Sequence, residues 1–144
     1  MLESVVEGLA LPGPVEVRID DDTLIGVIHG EDLGLFIGRH GQTIDAVQHL
    51  VFRIALARGA GDDGDLRVVI DAEGYRARRA EALQRVADQA AEDARRYGRP
   101  VALDAMTASE RKLVHEYLRD RGGVETYSEG EEPARHLVVA PLVV

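Results

Sequence analysis

The sequence predicts an α+β fold in two small units, and three observations carry that prediction. Val15-Glu16-Val17-Arg18-Ile19 alternates strictly and is followed, across Asp20-Asp21-Asp22, by the more apolar Leu24-Ile25-Gly26-Val27-Ile28. Next comes a wide apolar stripe at helical spacing, Ile44, Val47, Leu50, Val51, Ile54 and Ala55, with a third β-like run at Leu66–Ile70. Beyond a long charged stretch, a second set of short elements begins at Val101. A period of two marks a half-buried strand and a period of 3.6 an amphipathic helix. Strands covered on one side by helices make an α+β sandwich.

Taken in order, Leu2, Val5, Val6 and Leu9 set a short helix at residues 2–10, ended by Pro12-Gly13-Pro14. The two alternating runs form an antiparallel hairpin, with Asp favoured in its turn for local hydrogen bonding. Leu33–Ile37 is one helical turn, and Gln42–Arg58 is the helix that packs on the sheet. A Gly/Asp loop at Gly59–Asp65 leads to strand Leu66–Ile70, with Val68 and Ile70 on one face and Val69 on the other. The second unit opens with a charged helix, Glu73–Tyr97, whose apolar side is Tyr75, Leu83, Val86, Ala90 and Ala94. Gly98 and Pro100 stop it. Val101–Leu103 is a short strand, and Thr107-x-x-Glu110 is a capping box that starts a helix at Ala108–Arg119. Val124–Tyr127 and Leu137–Val139 are strands joined by a polar turn, Ser128–Pro133. The expected division is residues 1–74 and 75–144.

Composition narrows the function. No cysteine is present, which excludes disulfides, thiolate metal sites and a cysteine nucleophile. Glu3 and Glu7 stand where a signal peptide would be basic, and the longest apolar run, Leu137–Val144, is too short for a bilayer. A soluble, cytoplasmic protein without membrane insertion is expected. The net charge of −9 speaks against nucleic acid if taken alone. Its distribution does not. Residues 33–58 carry Arg39, Arg53 and Arg58 against Asp45, and residues 95–121 carry seven basic against four acidic side chains.

Two stretches carry chemistry. In Gly38-Arg39-His40-Gly41 the glycines permit a sharp turn that presents Arg39 and His40, with the N-terminus of the next helix behind them. Such a loop can grip a sugar-phosphate backbone. Arg111 and His115, four apart, share one face of a capped helix, and Arg119 extends the row. Leu113, Val114, Tyr117 and Leu118 take the core side. Arginine offers a fork of donors to phosphate, and histidine one more. His29, His49 and His136 have no carboxylate or histidine at metal-ligand spacing, so no metal or other cofactor is expected. No Ser-His-Asp order and no phosphate-binding Gly-x-x-x-x-Gly-Lys loop is present, so an enzyme is not expected.

The run Ile37-Gly38-Arg39-His40-Gly41-Gln42-Thr43-Ile44-Asp45-Ala46-Val47, set between two strands and a helix, resembles a K-homology domain of type II, ordered α-β-β-α-α-β. The likeness is strongest to the Jag (SpoIIIJ-associated protein, KhpB) family. Ser109-Glu110-Arg111-Lys112-Leu113-Val114-His115-Glu116 and Thr126-x-Ser128-x-Gly130-x-x-Pro133 resemble the small α/β R-three-H domain that follows in that family. The resemblance implies a non-enzymatic binder of single-stranded RNA, or of single-stranded DNA, acting as a post-transcriptional regulator or RNA chaperone linked to cell elongation and division. It carries RNA contacts onto Ile37, Gly38, Arg39, His40, Gly41, Gln42, Thr43, Arg111, His115, Arg119 and Ser128. Bases would enter a groove lined by Ile37, Ile44 and either the second strand or Val68–Ile70. Glu129, Glu131 and Glu132 would repel phosphate, which gives their turn a scaffolding role. Implied partners are a small single K-homology protein (KhpA) or a second copy of the chain. Many family members carry an extra N-terminal domain and linker, whose function this chain is expected to lack or to supply otherwise. The competing reading is a protein-interaction scaffold that dimerises through its K-homology unit.

Overall fold

The computed structural model describes residues 14–59 and 65–142. The helix expected at 2–10 and most of the Gly59–Asp65 loop lie outside the described residues. The chain divides into two compact units, Met1–Arg76 and Ala77–Val144.

In the first unit, β1 (Val15–Asp20) and β2 (Thr23–Ile28) form the expected hairpin, with Asp20 paired to Thr23. A four-residue helix α1 (Gly34–Ile37), a 3₁₀ turn (Arg39–Gly41) and helix α2 (Gln42–Ala57) follow. β3 (Arg67–Ala72) then joins β2 in parallel, giving the order β1-β2-β3. The core is Ile28, Leu33, Phe36, Ile44, Val47, Val51, Val68, Ile70 and Ala72. Val68 and Ile70 face it and Val69 does not, as the alternation requires.

Two expectations fail here. β1 is not half-buried: Val17 is half-exposed and Ile19 is 76% exposed. On their face α2 packs over β3, and Val17 lies opposite Gly26, which has no side chain to cover it. Ile44 and Ile70 are fully buried, so they build the core rather than the wall of an open groove.

In the second unit, α3 (Tyr75–Tyr97), β4 (Val101–Ala105), α4 (Ala108–Arg121), β5 (Val124–Glu129) and β6 (His136–Pro141) follow, with strand order β4-β6-β5 and antiparallel pairing throughout. Tyr75 and Arg76, at the start of α3, belong to the first unit. The buried stripe of α3 is Leu83, Ala87, Ala90, Ala91 and Ala94, while Val86 is half-exposed. Sequence reading prefers Val to Ala by hydrophobicity, but helix geometry places the smaller Ala87 one turn beyond Leu83. These alanines pack with Met106, Val114, Leu118, Val124, Leu137 and Val139.

The capping box forms as expected. Thr107 Oγ1 accepts from the Glu110 N–H at 3.3 Å, and Glu110 Oε1 accepts from the Thr107 N–H at 3.3 Å. Glu110 is buried, and its other oxygen receives Arg79 Nε at 2.6 Å. β5 runs on through Glu129, so Ser128 belongs to a strand paired with Leu137 rather than to the turn.

Candidate nucleic-acid interface

Both glycines of the loop are required by what surrounds them. Gly38 has φ 74°, and a Cβ there would overlap Thr43 Oγ1 and stand 2.8 Å from Thr43 Cβ. Gly41 takes the left-handed conformation (φ 79°, ψ 14°), and a Cβ there would meet the Tyr75 ring within 3.1 Å. Tyr75 thus closes the underside of the loop. His40 also has positive φ, 55°, which holds it at the apex of the 3₁₀ turn. Arg39 and Gln42 are exposed, Ile37, His40 and Thr43 are partly exposed, and Gly41 is buried.

The electrostatics favour an anion. No side chain caps the N-terminus of α2, which leaves first-turn N–H groups and the positive helix end for a ligand. The side chains of Arg39 and His40 have no hydrogen-bond or ion-pair partner among the described residues. Asp45, the carboxylate in the first turn of α2, is neutralised by Arg76 at 2.9 Å. Arg76 also donates to Ile70 O (2.7 Å) and Gln48 Oε1 (3.1 Å). Arg76 and, in the second unit, Arg79 therefore serve as internal ties.

In the second unit, Arg111, Lys112, His115, Thr126, Tyr127, Ser128 and Arg135 surround a shallow depression of about 420 Å³, floored by Ala108 and Leu137. The structure brings Arg111, His115 and Ser128 together here. Arg119, on the next turn, does not line the depression and sits 3.7 Å from Asp120. His115 Nδ1 hydrogen-bonds Thr126 Oγ1, tying α4 to β5. Arg111 is 11% exposed, and its Nη1 donates both to Met106 O (2.8 Å) and to Glu132 Oε1 (2.9 Å). Arg111 thus partly neutralises the acidic turn through Glu132, and Glu129 lies 3.6 Å from His136 Nε2.

Sequence reading missed three arrangements. Arg135 lines the depression and donates to Gly130 O at 2.6 Å, and no local spacing links it to Arg111. The Asp45–Arg76 pair joins residues 31 positions apart. His29, which has no carboxylate at metal-ligand spacing in the sequence, stands between Glu16 (3.0 Å) and Glu73 (3.2 Å), brought in by strand pairing and by the turn after β3. The hydrogen bond to Glu16 first, and then Glu73, raise its pKa above 6.5. No group of three or more possible metal ligands occurs among the described residues.

This two-unit arrangement has a counterpart among known sequences. Residues 1–72 match the family model of the KhpA/KhpB K-homology domain, and residues 81–141 match the R-three-H domain. The chain belongs to the KhpA/KhpB family. It is similar to proteins named RNA-binding protein KhpB. With that of Clostridium symbiosum it shares 38% identity over 113 residues, 78% of this chain and 50% of the relative. With that of Lactiplantibacillus plantarum the identity is 43% over 107 residues, 74% of this chain and 32% of the relative. With that of Bacillus subtilis it is 35% over 141 residues, 96% of this chain and 66% of the relative. The chain therefore spans about a third to two thirds of the length of these KhpB relatives.

Proposed function

We propose that this KhpB-like chain is a non-enzymatic, cytoplasmic RNA-binding protein that holds single strands through two surfaces. One is the loop Gly38–Gly41 with Ile37, Gln42 and Thr43; the other is the face of α4 and β5 with His115, Arg119 and Ser128, which Arg111 helps to build. The observation that carries this reading is the loop itself. An arginine and a histidine with unpartnered side chains, an uncapped helix N-terminus and a neutralised Asp45 converge on one exposed turn. The names of the KhpB relatives support RNA as the ligand.

Single strands are favoured over duplex because a net charge of −9 provides no broad basic surface along which a duplex could lie. A labelled single-stranded RNA, the same RNA as a duplex, and single-stranded DNA of equal sequence test this by fluorescence anisotropy. The single-stranded RNA binds tightest; duplex binding of equal strength overturns the reading.

A second reading is a protein-interaction scaffold, with a small K-homology protein or a second copy as partner. Exposed Val17 and Ile19 on β1 and Leu35, 89% exposed beside the loop, favour it. Sedimentation across a concentration series measures self-association. An RNA-binding, strictly monomeric chain leaves only the heterotypic partner.

A further inference from the structure

The two conspicuous members of the second surface do different work. We infer that Arg111 is a positioning residue, and that Lys112, His115 and Arg135 make the contacts to the phosphates of the strand. The inference deepens the proposed function and rests on it.

The case begins with availability. A cation that binds phosphate must present charge and free donors to solvent. Arg111 is 11% exposed, and Glu132 neutralises its guanidinium at 2.9 Å while Nη1 also donates to the carbonyl of Met106. It thereby joins three segments: the link after β4, helix α4, and the turn between β5 and β6. Lys112 is the opposite case, exposed and without a partner among the described residues. Arg135 makes one bond, to the Gly130 carbonyl, and no carboxylate among the described residues offsets its charge. His115 is exposed, with Nδ1 engaged by Thr126, which leaves Nε2 for a ligand. All three line the same depression, and Arg135 enters it from beyond the turn that Arg111 holds. Arg111 therefore sets where Arg135 stands, while its own charge is spent on Glu132.

The salt dependence of binding separates the roles. Each phosphate contact to a single strand contributes about 0.7 to the slope of log affinity against log salt. The experiment uses the full chain and a single-stranded oligoribonucleotide, with thermal melting to confirm folding. Lys112→Ala and Arg135→Ala each lower the slope by about 0.7. The double variant Arg111→Gln with Glu132→Gln removes a neutral ion pair but keeps hydrogen-bonding groups at both positions, and its slope stays at the wild-type value. Arg111→Ala alone weakens binding because it frees the turn and leaves Glu132 uncompensated.

A slope that falls by about 0.7 in the double-glutamine variant makes Arg111 a direct contact and overturns the inference. Unchanged slopes in Lys112→Ala and Arg135→Ala overturn it as well. A wild-type chain that shows no salt-dependent binding at all defeats the underlying function instead, so the two failures are distinct.

Discussion

Single side chains decide how the loop and its surroundings behave. Gly38 and Gly41 each combine positive φ with crowding at the Cβ position: a Cβ at Gly38 would overlap Thr43, and one at Gly41 would press on the Tyr75 side chain. Gly41→Ala is expected to cost about 1–2 kcal/mol from the left-handed backbone alone, with the Tyr75 contact adding to it. Chemical denaturation of the variant measures that loss. His29 supplies a pH dependence. Its pKa is raised in the folded state, so the stabilisation it draws from Glu16 and Glu73 is fully present below about pH 6.5 and is lost as pH rises through the raised value. The wild-type melting temperature should fall across that window by more than that of His29→Gln. Equal pH profiles would show that the clasp contributes nothing. The Gly30 N–H donates to the same Glu73 carboxylate at 2.9 Å, so the clasp fixes the exit of β2, the segment that leads to the loop.

At the scale of elements, α4 carries the second surface and depends on its ends and its buried face. Thr107→Ala removes half of the capping box and should cost about 1 kcal/mol. Leu118→Ala, at a fully buried position, should cost about 2–5 kcal/mol. Denaturant midpoints compare the two, and a cap variant as damaging as the core variant would contradict this ranking.

The elements themselves were legible in the sequence wherever local chemistry fixes them. The Asp20–Asp22 turn, the capping box at Thr107 and the stripe of α2, save for the half-exposed Leu50, are such cases. What escaped was set by three-dimensional neighbours. The exposure of Ile19 depends on which strand α2 covers, and the choice of Ala87 over Val86 on α3 depends on which face of the helix meets the second core. The candidate loop was visible because its glycines, Arg39 and His40 are contiguous. Arg135 and the Arg111–Glu132 pair were not, because they meet only when β5 and β6 fold back on α4.

For the whole molecule, charge is the governing quantity. A net charge of −9 with basic side chains concentrated in two stretches is expected to repel polyanions in bulk while leaving two places where one could be accepted. Long-range repulsion is screened as salt rises, while local phosphate contacts weaken with it. Affinity for single-stranded RNA should therefore fall with salt by a slope that reports a few contacts rather than a long basic track. No described helix is long and apolar enough to cross a membrane.

The central claim is that the loop at Gly38–Gly41 grips the strand. It is tested most directly by replacing Arg39 and His40 with Asp in the full chain and measuring RNA affinity by anisotropy, with melting curves to confirm the fold. Both side chains lack partners among the described residues, so the substitution should leave stability almost unchanged. The account predicts a loss of tenfold or more, about 1.4 kcal/mol or greater. Wild-type affinity in a folded Asp variant would contradict it.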